Sequence, residues 1–261
     1  MKTKMTKEQI QENAPSVFTK GPSEQLSDKY TFIPTTRVIE DMETLGWDVV
    51  GASEIKSRKG KGYQKHMLTF QNPNLAINGE NGDDVFPQIL MTNSHNGSSS
   101  FQFRVGLYRL VCSNGLVIAT QEFENVKVRH MGYSFDELQQ TIKTITERLP
   151  LTVESMNKMK EIELEQDQMV ALANQMLEVR FGDSTKDMGF DIDQILEPVR
   201  VEDQTNDLWT VFNRIQERII GGDFNYSTNN RVRKARRIKN FNQDIDLNQG
   251  MFKTALELVE M

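Results

Sequence analysis

One cysteine, Cys112, stands in a chain of 261 residues. A lone thiol excludes an internal disulfide framework and a cysteine-rich zinc cluster. Long apolar runs are also missing, and no stretch approaches the roughly 20 residues a membrane helix requires. The opening MKTKMTKEQIQEN lacks the apolar core of a secretory signal, so a cytoplasmic location without membrane attachment is expected. Histidine is scarce: His66, His95 and His130 are dispersed, with no HxxxH pair to suggest a metal site. Neither GxxxxGK[ST] nor GxGxxG after a strand occurs, which removes the usual phosphate-cradling loops. No cofactor and no metal are expected, and no residue is assigned a catalytic role. His95, beside Asn93 and Ser94, and Cys112 are the nearest approach to nucleophilic chemistry. Leu110, Val111 and Leu116 around Cys112 point instead to an inert buried thiol. Asp83, Asp84, Asp191 and Asp193 could hold a divalent cation, although paired acids on loops are more often simply solvated.

The chain does contain enough apolar residues for a globular core, 37% with 26% charged. Net charge is −6, which argues against indiscriminate nucleic-acid binding, but the charge is uneven. Between Leu151 and Gln204 thirteen acids face five bases, a local −8 that leaves about +2 for the rest. An acidic protein of this kind can carry a basic face.

From Thr92 to Thr120 a polar run leads into strict alternation of Phe101, Phe103, Val105 and Leu107, the period of a strand. Gly106 interrupts it, as a bulge or close backbone approach would. Ser113-Asn114-Gly115 then turns the chain before Leu116, a strong hairpin signal. This hairpin is expected at the centre of a sheet. Further strands are predicted at Trp47 to Ile55, Tyr63 to Phe70, Val85 to Thr92 and Asn125 to His130, with Pro87 hinting at an edge. An early helix enters through Pro34 and ends at Gly46.

The wording NSHNGSSSFQFRVGLYRLVCSNGLVIA resembles a phage- and plasmid-encoded family called domain of unknown function 932. SDKYTFIPTTRVIEDMETLGWDVV, QKHML, VKVRHMG, NDLWTVFNRIQERIIGG and the closing NQDIDLNQGMF match the family's pattern in the same order, across about nine tenths of the chain. The family has no settled activity. The resemblance implies a mobile-element protein in a bacterial host cell and suggests DNA handling.

After Gly132 the period changes to that of helices. Ser134-Phe-Asp-Glu137 is a capping box, and Leu138, Ile142, Ile145 and Leu149 form one stripe that Pro150 should end. A helical region from Thr152 to Phe181 turns Met156, Met159, Met169, Leu172 and Met176 inward. Phe190 to Leu196 reads as a short helix or turn. Thr205 can cap a helix whose Leu208, Phe212, Ile215 and Ile219 share a face and whose end is Gly221-Gly222. A last helix runs from Asp244 to Glu260. Strands first and helices after make an α+β chain. The expected division is a flexible or edge-wrapping N-terminal arm (1–28), then one continuous globular domain from residue 29 made of a mainly antiparallel sheet region with one early helix (29–132), packed helices (133–222), and a basic segment with a final helix (223–261).

Two basic clusters are the candidate nucleic-acid contacts. Arg231, Arg233, Lys234, Arg236, Arg237 and Lys239 are six cations in nine residues with no acid, after a polar NYSTNN segment expected to be flexible. Lys56, Arg58, Lys59, Lys61 and Lys65 lie on or beside a hairpin tip in a stretch free of acid from Ile55 to Gly79. Cations at such density neutralise phosphates and release counterions. The plain alternative is that both clusters are solvated surface offsetting the acidic helices. Tyr63, Phe101, Phe103 and Tyr108 are candidate stacking aromatics, though aromatics at strand period usually belong to the core. The favoured expectation is a non-enzymatic DNA-binding protein that acts in recombination or annealing, working as a homo-oligomer on single-stranded DNA, with duplex DNA as the alternative. The order of elements is similar to that of Rad52-like single-strand annealing proteins, by analogy only. Two other readings stand beside it: a protein that blocks a host defence enzyme by contact or DNA mimicry, and a metal-dependent nucleic-acid enzyme.

Overall fold

A computed structural model describes residues 2–26, 30–56, 61–75, 85–109, 115–117 and 134–259. The fold is α+β, and the chain divides into two compact units: Met1–Gly115 with Thr120–Leu149, and Leu116–Ala119 with Pro150–Met261. Neither Cys112 nor the expected strand from Asn125 to His130 falls among the described residues.

The first unit is built on β1 (Asp48–Glu54), β2 (His66–Gln71), β3 (Val85–Asn93) and β4 (Gln102–Arg109), antiparallel neighbours in that order. A short β5 (Gly115–Val117) stands last in the strand order. The middle strand is therefore β3, all nine of whose residues are buried, and not the hairpin expected to be central. Pro87 is tolerated in this central strand for a local reason. Strand β2 stops at Gln71, opposite Gln88, so at Pro87 only β4 lies alongside, through Leu107. A missing N–H costs little where one side of the ladder has already ended. Gly106 sits opposite Gln88 in an unbroken register; the irregularity falls between Val49 and Gly51 instead.

Of the two forms expected for the N-terminal residues, the chain adopts the edge-wrapping one. Thr6 and Gln9 close a capping box on α1 (Lys7–Asn13), and the Met5 amide donates to Val49 O of edge strand β1 at 2.8 Å. Ile10 and Val17 bury themselves against Val38 and Met42 of α2 (Thr35–Thr44), Trp47, Leu68 and Phe70, and Leu138, Ile142 and Ile145 join the same core. Those last three lie on α3 (Phe135–Lys160), whose Glu137 amide donates to Ser134 Oγ at 3.2 Å. Pro150 does not end α3, which continues through it for ten residues. A proline inside a helix removes one backbone hydrogen bond, and the division between the two units falls at that point.

The second unit contains α4 (Gln166–Phe181), β6 (Met188–Phe190), α5 (Ile192–Leu196), α6 (Leu208–Gly221), β7 (Asn225–Thr228), β8 (Arg231–Lys234) and α7 (Phe241–Val259). The expected helical region up to Phe181 consists of two helices, interrupted after Lys160, and Glu165 with Gln168 caps the second. Helix α6 is capped by Asp207, whose carboxylate accepts from the Thr210 amide at 2.9 Å; Thr205 supports that carboxylate from outside. Leu208, Phe212, Ile215 and Ile219 are all fully buried. Phe212 stacks on Trp209 at 6.3 Å and meets Phe252 of α7 edge-on at 5.8 Å. Phe212→Ala should destabilise this unit by about 3–5 kcal/mol, the scale of an emptied aromatic site; urea unfolding followed by circular dichroism measures it. A loss under 1 kcal/mol would mean the site collapses around the smaller side chain.

Candidate nucleic-acid interface

Residues expected to be a flexible segment and a basic run form an ordered antiparallel hairpin. Strands β7 and β8 pair from Asn225↔Lys234 to Thr228↔Arg231, and β6 adds on the other side of β7. Asn229 and Asn230 make the two-residue turn with φ of 49° and 57°. Two successive left-handed residues are what a tight hairpin requires, and asparagine adopts that region more readily than most residues. Strand β8 is the edge of this sheet, and all four of its residues are exposed, Val232 at 77%.

The run then docks along α6. The Ala235 amide donates to Phe224 O and the Ile238 amide to Ile220 O, both at 2.9 Å. Arg180, at the end of α4, donates to Ile219 O and, at 2.6 Å, to Arg236 O, while its guanidinium covers Phe181 and Phe224 at 5.0 and 5.6 Å. Burial lowers the Arg180 pKa from its usual value. With the backbone held from below, Arg231, Arg233, Arg236, Arg237 and Lys239 all reach solvent. Lys234 pairs with Asp223 at 2.8 Å, and Arg237 lies close enough to pull on Asp244, whose burial still raises its pKa to about 6. Among the described residues no carboxylate pairs with Arg231, Arg233, Arg236 or Lys239.

The other cluster belongs to the first unit. The Ile55 amide donates to Lys65 O at 2.9 Å, which extends the β1–β2 ladder toward the loop. Lys56 and Lys61 are exposed and Lys65 is half-buried, whereas Arg58 and Lys59 lie outside the described residues. Of the expected stacking aromatics, Phe101 and Phe103 are core residues in edge-on contact at 5.0 Å, and Tyr63 is half-buried. The side chain of Tyr108 lies outside those described. Exposed acids accumulate along the second unit, where Asp191 caps α5 and, with Asp193 and Glu197, lines an open cleft of about 820 Å³. Among the described residues no cluster of three metal-ligating side chains occurs; Asp83 and Asp84 are not among them.

Two of the histidines expected to be dispersed are neighbours, with ring centroids 5.1 Å apart and both side chains fully buried. Their protons follow from their partners. Gln64 O, 3.0 Å from His66 Nδ1, can only accept, so Nδ1 carries the proton. His66 Nε2 then accepts from the Thr35 hydroxyl at 2.8 Å. The Thr35 oxygen in turn accepts from Asn93 Nδ2 at 3.1 Å and from His95 Nε2 at 3.4 Å. Ser16 Oγ lies 3.0 Å from His66 Nδ1, and His95 Nδ1 has no partner. Burial lowers the pKa of His66 to about 4 and that of His95 to about 3, so both rings are neutral. A signal was present in the sequence: His66, Leu68 and Phe70 share the inward parity of one strand.

A family described as a domain of unknown function, DUF932, matches residues 22–251. The UPF0380 proteins YfjQ and YafZ of Escherichia coli (strain K12) are each 32% identical to the chain over 261 residues, covering 98% of it and 92% of their own length. The chain belongs to the DUF932 family. Both basic clusters fall within the DUF932 match, as do Thr35, His66, Asn93 and His95, while Ser16 and α1 precede it. No solved structure matches this DUF932 chain. Its described helices include none long and apolar enough to cross a membrane.

Proposed function

We propose that this DUF932 protein is a non-enzymatic nucleic-acid-binding protein of a mobile element, holding a DNA strand by its phosphates along β8 and the segment that follows. One observation carries the reading: Arg231, Arg233, Arg236 and Lys239 are exposed on an anchored backbone and are not neutralised by any described carboxylate. Arginines held this way meet phosphate bidentately without first giving up an internal partner. Recombination or annealing is the role that suits sequence-independent grip on a strand, and oligomerisation belongs to the same proposal. The exposed carboxylates of the second unit support one other reading, that of a protein that occupies a DNA-binding surface of a host enzyme by mimicry.

Binding of a labelled oligonucleotide across a salt series tests the first reading. The slope of log K against log salt should be about −0.7 per neutralised phosphate on a single strand. Arg231→Ala with Arg233→Ala should flatten that slope by roughly one to two contacts' worth, with similar loss on unrelated sequences. Folded protein that binds no oligonucleotide at low salt would remove this reading and leave mimicry.

A further inference from the structure

The small sheet that carries the basic edge also presents aromatic rings beside it. Register partners in an antiparallel ladder point to the same face. Phe190 of β6 is opposite Tyr226 of β7, and Tyr226 is opposite Arg233 of β8. In the next row of that face, Met188 is opposite Thr228 and Thr228 is opposite Arg231. One face therefore reads from apolar ring to ring to guanidinium across three strands. Phe190 and Tyr226 are half-buried, 6.1 Å apart and 33° from parallel, and Phe181 at the end of α4 supports both at 5.4 and 5.6 Å. Beside Phe190 opens a cavity of about 250 Å³, whose lining includes Asn174, Glu178, Lys186 and Met188. That is smaller than the roughly 300–1,000 Å³ of pockets for drug-sized ligands, yet it can admit a single planar ring.

We infer that the Phe190–Tyr226–Arg233 row is a stacking site for an unpaired base, which makes single-stranded nucleic acid the substrate class of the basic arm. This rests on the nucleic-acid reading above and adds which side of the bound strand faces the rings. Charge sets that orientation: exposed Arg231 and Arg233 attract phosphate to the β8 edge, whereas the cavity at the β6 end is lined by Glu178 and by Lys186, a cation already paired with Asp183 at 2.9 Å. The sugar-phosphate chain thus follows β8, and a base reaches inward across Tyr226 toward Phe190. A base in a duplex has both faces already stacked on its neighbours, so it cannot lie on these rings. Stacking on aromatic side chains is tolerant of sequence because every base has a π-face. Adjacent guanidinium groups add cation–π attraction and keep the base over the ring.

The test compares three probes on the unmodified protein: a 20-nucleotide single strand, an abasic strand of the same length and charge, and the matching duplex. The single strand should bind roughly ten-fold more tightly than the abasic strand, the scale of one or two stacked bases, with the same salt slope. Tyr226→Phe, which keeps the ring, should bind as the parent does, and Tyr226→Ala should fall to the abasic level. In Tyr226→Trp the new indole should be quenched by the single strand and not by the abasic one, against the buried Trp47 and Trp209 as a constant background. Equal affinity for single and abasic strands would overturn the inference while leaving phosphate binding intact. No binding of any probe would overturn the nucleic-acid reading itself, and this inference with it.

Discussion

Between pH 6.5 and pH 4 the first unit is expected to lose stability steeply. His66 and His95 are held neutral in the fold, at about 4 and about 3, because burial penalises their charged forms. In the unfolded chain both titrate near 6.5. The contribution is fully present above pH 6.5 and is lost as pH falls toward the folded values, because the unfolded state takes up protons first. Together the two displacements from 6.5 amount to on the order of 8 kcal/mol, within the range of the whole stability of a typical domain. Asp244 in the second unit has the opposite sign: its pKa is raised to about 6, so the term it contributes improves as pH falls through that value. The two units should therefore separate in acid. Each contains one buried tryptophan, Trp47 in the first and Trp209 in the second. Fluorescence of Trp209→Phe should follow the first unit and that of Trp47→Phe the second, with the first unfolding at the higher pH. His95→Phe should shrink the acid limb of the first unit. Its side chain gives up only the 3.4 Å contact to Thr35, and its backbone bonds to Tyr63 and Ser23 remain. An unchanged acid limb in that variant would remove the histidine pair as its cause.

Gly222→Ala is expected to destabilise the second unit by on the order of 3 kcal/mol, while Gly221→Ala should be neutral or slightly stabilising. Gly222 follows the last turn of α6 with φ of +73°, a conformation that costs an L side chain roughly 1–2 kcal/mol. A methyl group there would also lie 2.3 Å from the carbonyl carbon of Arg236 and 2.5 Å from the amide nitrogen of Arg237. Those are backbone atoms, fixed by the Ile238-to-Ile220 hydrogen bond and by Arg180, so they cannot swing aside. Overpacking of this kind typically adds about 1–3 kcal/mol. At Gly221 a methyl group meets nothing within 4 Å and helix propensity gains slightly. Thermal unfolding of the pair measures the contrast, and oligonucleotide affinity should fall only in Gly222→Ala, since it alone displaces the arginines. Equal stability of the two variants would show that the basic segment is not seated on the helix end.

The neighbouring residues explain which parts of this fold were legible in the amino-acid order. Alternation is legible in β4, where buried Phe103 lies between half-buried Gln102 and Arg104, whereas β3 is covered on both faces and shows none; the Ser134 box and Gly222 mark helix ends through local hydrogen bonding. Strand order is not a local property, so the alternation around β4 points to a centre that β3 in fact occupies. Pro150 predicts a stop because its cost is local, yet α3 continues through it to Lys160. The basic residues were identified as a cluster, yet the Asn-Asn turn that makes them a strand is a weaker signal than Asn-Gly. The histidine pair is not legible in the sequence, because His66 and His95 come together only across two strands and a helix start. Tyr226 and Phe190, 36 positions apart, share a row only through β6, a three-residue strand with no periodicity of its own.

The open side of β8 also bears on how copies of this protein meet. An unprotected edge with Val232 outward is a template for another strand, and cations along such an edge prevent recruitment by mutual repulsion. The residues assigned to phosphate are then the same ones that keep the chain from aggregating. Removing Arg231 and Arg233 as alanines strips that guard, so the double variant should self-associate in a concentration-dependent manner under low salt. Glutamates at both positions would restore repulsion while abolishing phosphate contact. Sedimentation of the two variants side by side separates the grip on a polyanion from the protection of the edge.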